Sequence, residues 1–194
     1  MKKLFVIILL VLVAKFAFCG SGKPSKCDQD TWQLVAEMYG VAIAYPNDFP
    51  NFIKNNNDKY APGGQWQECA ERLASQLYLS ALSSFSPNQI EEHAMDVASR
   101  AGAPELGPKV AESMMSTSLD MARLASNLSS LTKSVSEIQK GNLYAYQNTE
   151  IYFLSSILWS AMQGLFTPEE IKSYQQIYYE LSIWMILQYA QQIK

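Results

Sequence analysis

The chain contains one histidine, His93, set among the acids Glu91, Glu92 and Asp96. Such a group is the natural place to look for metal ligation or acid–base chemistry. Successive helix positions point about 100° apart, so Glu91, Glu92 and His93 do not converge on one ion. Zinc asks for three or four convergent ligands. The pattern instead fits a solvated helix start, with acids near the positive end of the helix dipole. Serines are plentiful, but a serine nucleophile needs a positioned base. His93 is the sole candidate, and no G-x-S-x-G turn occurs. No Gly-rich phosphate loop is present. Two carboxylates at the right separation would hydrolyse a glycoside, a separation that sequence spacing does not supply. The expectation is a protein that is not an enzyme and that uses no metal or cofactor.

The cysteines carry the other chemistry. Residues 1–19 read as a signal peptide: Lys2 and Lys3, an apolar run from Leu4 to Ala14, then Ala17 and Cys19 before a cut at Gly20. The run is short for a membrane span. An uncleaved anchor and a bacterial lipoprotein modified on Cys19 are the alternatives, and the bulk of Phe18 ranks the lipoprotein second. Cleavage would leave Cys27 and Cys69, which in an oxidising compartment most simply pair with each other. Bridging to another molecule is the alternative. Cleavage would also remove Lys2, Lys3 and Lys15, leaving 12 basic against 18 acidic residues, a net charge of −6. An acidic chain argues against nucleic acid, which rewards basic patches. Once the leader is removed, no membrane attachment is expected. Asn127 heads an N-L-S acceptor sequence, a glycosylation site unless it faces the core.

These residues must be held by something, and the punctuation is helical throughout. Asp30 with Gln33 reads as the cap of a helix running to Pro46. Residues 46–64 read as a loop with a turn of helix near Phe49 to Lys54. A helix from Gly64 to about Ser84 follows, with Trp66, Cys69, Ala70, Leu73 and Leu77 on its apolar side. Ser86-Pro87-Asn88-Gln89 opens the next. Pro108 opens a long helix that ends at Gly141, with a possible break among the serines from Ser126 to Ser130. Asn148 caps the fifth helix. Thr167-Pro168-Glu169-Glu170 opens the last, with Pro at the first helical position and acids at the dipole's positive end.

No strand alternation appears. The expectation is an all-α fold, a single bundle of five to six helices over residues 20–194. Within it, residues 20–64 read as an N-terminal extension with one helix and 65–194 as the main bundle. Helical periodicity places Trp66, Leu73, Met114, Met121, Leu158, Met162, Leu181 and Met185 in the core. Most of the late tyrosines should be core or rim. Charged residues make up only 17%, below the roughly 25% of an average protein. Such a surface is weakly self-repelling and associates easily.

From Trp66 onward the order of features resembles the amino-terminal domain of spidroins, the spider silk proteins. The stretches that carry the likeness are A-E-R-L-A-S-Q-L-Y-L-S-A-L-S-S-F, S-P-N-Q-I-E-E, K-V-A-E-S-M-M-S-T-S-L-D-M-A-R-L-A-S and S-S-I-L-W-S-A-M-Q-G-L-F with the helix after it, over about residues 65–190. The resemblance implies a secreted, extracellular association domain that dimerises in silk or secretory-matrix assembly. Its partners would be itself or related silk proteins. It also implies that Glu91, Glu92, His93 and Lys109 are dimer or pH-sensitive residues, with Glu91 and Glu92 matching the family's acid pair and Lys109 its helix-three lysine. Arg123 stands where the family places an acid. The alternative reading is a secreted helical carrier that binds an apolar ligand or lipid between helices.

Overall fold

The computed structural model describes residues 27–79, 85–118 and 121–193. The leader, Cys19 and the side chain of Met121 lie outside the described residues. Among those described the protein is all-α, without strands. The helices are α1 (Gln29–Ala44), α2 (Phe49–Asn55), α3 (Gln65–Leu79), α4 (Pro87–Arg100), α5 (Gly107–Ser118), α6 (Met121–Gln139), α7 (Tyr144–Gln147), α8 (Glu150–Met162) and α9 (Pro168–Gln191), with a 3-10 turn at Pro104–Leu106. These nine helical elements among the described residues exceed the five to six expected. Two extra ones are short connectors, α2 and α7. The long helix expected from Pro108 is described as α5 and α6, residues 119 and 120 between them lying outside the described residues. The serines from Ser126 to Ser130 lie within α6.

Local chemistry starts and stops several of these elements. Ser86 and Gln89 form a reciprocal capping box at α4, and Thr167 and Glu170 do the same at α9. Two caps differ from expectation by one or two residues. Asp28, not Asp30, caps α1, accepting from the Thr31 N–H at 2.9 Å and the Thr31 hydroxyl at 2.6 Å. Thr149, not Asn148, caps α8, accepting from the Tyr152 N–H at 3.3 Å. Gly141 ends α6 at a φ of 90°, a left-handed value open to glycine.

The segment set apart as an extension holds α1 and α2, and α1 is the hub of the core. It packs along α9 and against α3 and α8. Every residue from Met38 to Ala44 is buried, the pattern of a helix covered on all sides. Gly40 allows the close approach: a Cβ there would meet the Tyr179 ring at 3.0 Å and Ile183 at 3.1 Å. The Cys27–Cys69 disulfide ties the start of α1 to α3.

A buried helix end leaves its last four carbonyls needing partners. Here each is supplied. Val41 C=O accepts from the Tyr45 N–H at 2.8 Å. Ala42 C=O accepts from the Tyr146 hydroxyl at 3.0 Å, Ile43 C=O from Trp159 Nε1 at 2.9 Å, and Ala44 C=O from Gln175 Nε2 at 3.0 Å. Single side chains from α7, α8 and α9 thus converge on the end of α1.

Trp66, Leu73, Met114, Met162, Leu181 and Met185 are buried as expected. Leu158 is not: it is half-buried and packs on the edge of the core. Around α8, Ile151, Ser155, Trp159 and Met162 take the inner face instead. The tyrosines divide. Tyr146, Tyr174, Tyr178 and Tyr189 are buried, while Tyr144 is largely exposed.

Candidate functional site

His93 projects from the inner edge of α4 and stacks on Trp184 of α9, with ring centroids 4.4 Å apart and planes 17° from parallel. Phe85, ahead of α4, packs on the same indole at 4.9 Å and on Tyr189 at 4.9 Å. Further along the seam, two turns beyond His93 on α4, Arg100 pairs with Glu180 of α9 at 3.3 Å and with Asp96 of its own helix at 3.2 Å. Gln89, Glu92, His93, Asp96 and Trp184 line a shallow, open hollow of about 370 Å³. His93 therefore belongs to the contact between α4 and α9. Among the described residues, no three His, Cys, Asp or Glu side chains gather as a metal site would require.

Burial pushes the His93 pKa below its ordinary value, with Arg100 adding to the effect and Asp96 and Glu180 opposing it. Folding thus favours the uncharged ring. Its contribution is fully present above the unfolded pKa of about 6.5 and is lost as pH falls through that value and then through the lower folded one. The ring is half-exposed, so solvent screens the effect. His93→Gln should change the difference in thermal midpoint between pH 7.5 and 5.5 by no more than about 2 °C, making the loss on acidification smaller. A larger loss in the variant would reverse this sign.

Of the other three residues singled out from the sequence, Glu92 shares the lining of that hollow with His93, and Glu91 and Lys109 do not. Glu91 and Glu92 are exposed on α4, and neither forms an ion pair among the described residues. Lys109 is exposed at the start of α5, its ammonium 5.3 Å from the centre of the Phe166 ring. The Lys109 carbonyl accepts a hydrogen bond from the Tyr174 hydroxyl at 2.8 Å. Asn127 is 7% exposed in the middle of α6, a position that an attached glycan would not fit.

Two surfaces stand out by their exposed apolar side chains. An open groove of about 710 Å³ runs between α3 and α6, with Ala74, Ser75 and Ala125 among its lining residues and Tyr78 and Leu79 exposed beside it. The second is the outer face of α8. Phe153 is 61% and Ile157 52% exposed, Ala161 follows at the same spacing, and Leu165 lies exposed in the turn beyond. Arg123 of α6 pairs with Glu150 at 2.6 Å where α8 begins, and Phe166 under Lys109 lies where the stripe ends. Periodicity did not single this face out, because α8 is apolar on nearly every side. The available signal was the charge count: Glu150 is the one charged residue between Gly141 and Pro168.

No protein-family model, curated protein or solved structure matches this chain. The functional reading therefore rests on the surfaces just described. No helix among the described residues is long and apolar enough to cross a membrane.

Proposed function

We propose that this protein is a secreted helical association module that dimerises in the assembly of a silk or secretory matrix. The observation that carries the reading is the row of large apolar side chains left exposed along α8 and the turn after it, on a sparsely charged surface: Phe153, Ile157 and Leu165. Surfaces of that kind mark contact with other macromolecules. By resemblance, acidification strengthens the association, with Glu91, Glu92 and Lys109 as the charges through which it acts. The −6 of the leader-free chain supports the direction, since any loss of negative charge reduces repulsion between copies. Sedimentation from about pH 7 to about 5.5, at up to roughly 200 μM, is expected to show a reversible dimer that grows with acid. Lys109→Gln should weaken it without unfolding the monomer. A monomer under all these conditions would refute the reading.

A second reading is favoured by the α3–α6 groove, whose volume suits a lipid chain or other small apolar ligand and whose lining sets Ala74, Tyr78, Leu79 and Ala125 among serines, Glu71 and Lys133. Native mass spectrometry of protein taken from its source distinguishes the two. A bound lipid of stoichiometric amount supports the carrier, and its absence together with a dimer supports assembly.

A further inference from the structure

The outer face of α8 deepens the association reading and rests on it. A helix that is apolar all round is ordinarily buried all round. The α8 helix buries one side on α1 and the bundle while Phe153, Ile157 and Ala161 face solvent, with Leu165 just beyond. We propose that this face is an isologous contact between two copies of the chain, the α8 stripe of one lying on the α8 stripe of the other.

The choice of a second copy comes from charge. The chain is acidic, at −3 overall and −6 without the leader, so two copies approaching on a charged face bury like charges. From Ile151 to Pro168 there is no charged residue, and Glu150 at the edge is already paired with Arg123. Two such faces meet without that cost. A charged partner finds nothing on the stripe to complement. A lipid surface is disfavoured too, because interfacial helices carry a row of Lys and Arg along the apolar face; α8 carries none, and of the two cations at the ends of the stripe, Arg123 and Lys109, Arg123 is paired with Glu150. The twofold relation follows from identity, since one self-complementary patch closes a dimer and leaves no free end. The stripe spans about 18 Å, twelve residues at the helical rise. That is small for an interface and puts the dimer in the weak, transient class, populated at roughly 100 μM.

The test is sedimentation velocity on the full secreted chain at that concentration, comparing wild type with Ile157→Glu and with Leu79→Glu. Ile157→Glu places two like charges across the twofold and is expected to weaken dimerisation at least tenfold. Leu79→Glu puts the same charge beside the α3–α6 groove and is expected to leave the dimer intact. Far-UV circular dichroism and the melting midpoint report folding. Should Ile157→Glu unfold, Phe153→Ser with Ile157→Ser replaces it with the same expectation. A wild-type dimer that withstands the α8 substitutions, or that Leu79→Glu disrupts equally, overturns the α8 assignment while the association reading stands. A wild-type monomer overturns both.

Discussion

Removing the Cys27–Cys69 bridge is expected to lower stability by about 4 kcal/mol. Its cysteines are 42 residues apart, and the chain-entropy account gives about that value for a loop of this length, within an observed range of roughly 2–5 kcal/mol. The bridge closes the chain from just ahead of α1 to the second turn of α3, so all of α1 and α2 lies inside the loop. These helices hold much of the core, and α1 in particular packs against α9, α3 and α8. Without the bridge the unfolded chain gains freedom that folding must then remove. Cys69 is fully buried and Cys27 half-buried. The double variant Cys27→Ser with Cys69→Ala therefore adds only a small packing loss to the entropic one. Urea unfolding of wild type, reduced wild type and the double variant checks the expectation. A change below about 1 kcal/mol would mean that the unfolded chain keeps these segments together without the bridge.

Trp159→Ala is expected to cost more, about 5 kcal/mol. The side chain is 6% exposed and meets Tyr174 and Tyr178 edge-on at 6.1 and 5.7 Å. Loss of a buried tryptophan costs about 3–5 kcal/mol. Its Nε1 also caps Ile43 C=O at the buried end of α1, and a buried carbonyl left without a partner costs roughly 1–3 kcal/mol. Trp159→Phe separates the two. It keeps most of the ring and removes the donor, so it should cost about 2–3 kcal/mol. Domains are stable by only about 5–15 kcal/mol, so the alanine variant risks failing to fold and the phenylalanine variant carries the measurement. Equal stability of Trp159→Phe and wild type would show that water reaches Ile43 C=O.

Both expectations concern α1, whose central role is little marked in its residues. Read alone, Gln29–Ala44 is one helix among several, attached ahead of a run of features that resembled a complete bundle. What the sequence does encode is whatever acts over a few residues. The Ser86–Gln89 and Thr167–Glu170 boxes are reciprocal hydrogen bonds three residues apart, and both are legible as letters. The buried stripes of α3 and α9 recur at helical spacing, so Trp66, Leu73, Leu181 and Met185 are recoverable from period alone. The cysteine count makes Cys27 and Cys69 the simplest pair, and they form the bridge.

The failures have a common form. The α8 helix is apolar in nearly every direction, so periodicity has no phase there, and Leu158 was placed on the wrong side of its edge. His93 carries no local mark of Trp184, which lies 91 positions away in the chain. The three side chains that cap α1 come from α7, α8 and α9, more than a hundred residues downstream. The sequence by itself determined the all-α class, the longer helices, the capping boxes of α4 and α9 and most of the apolar stripes, because hydrogen bonds and side-chain spacing within one or two turns set them; the disulfide was legible only from the cysteine count. Only the tertiary structure decided that α1 is the hub, that His93 is held in the α4–α9 seam and that one face of α8 is left uncovered. Which side of an apolar helix is buried depends on what the rest of the chain brings against it.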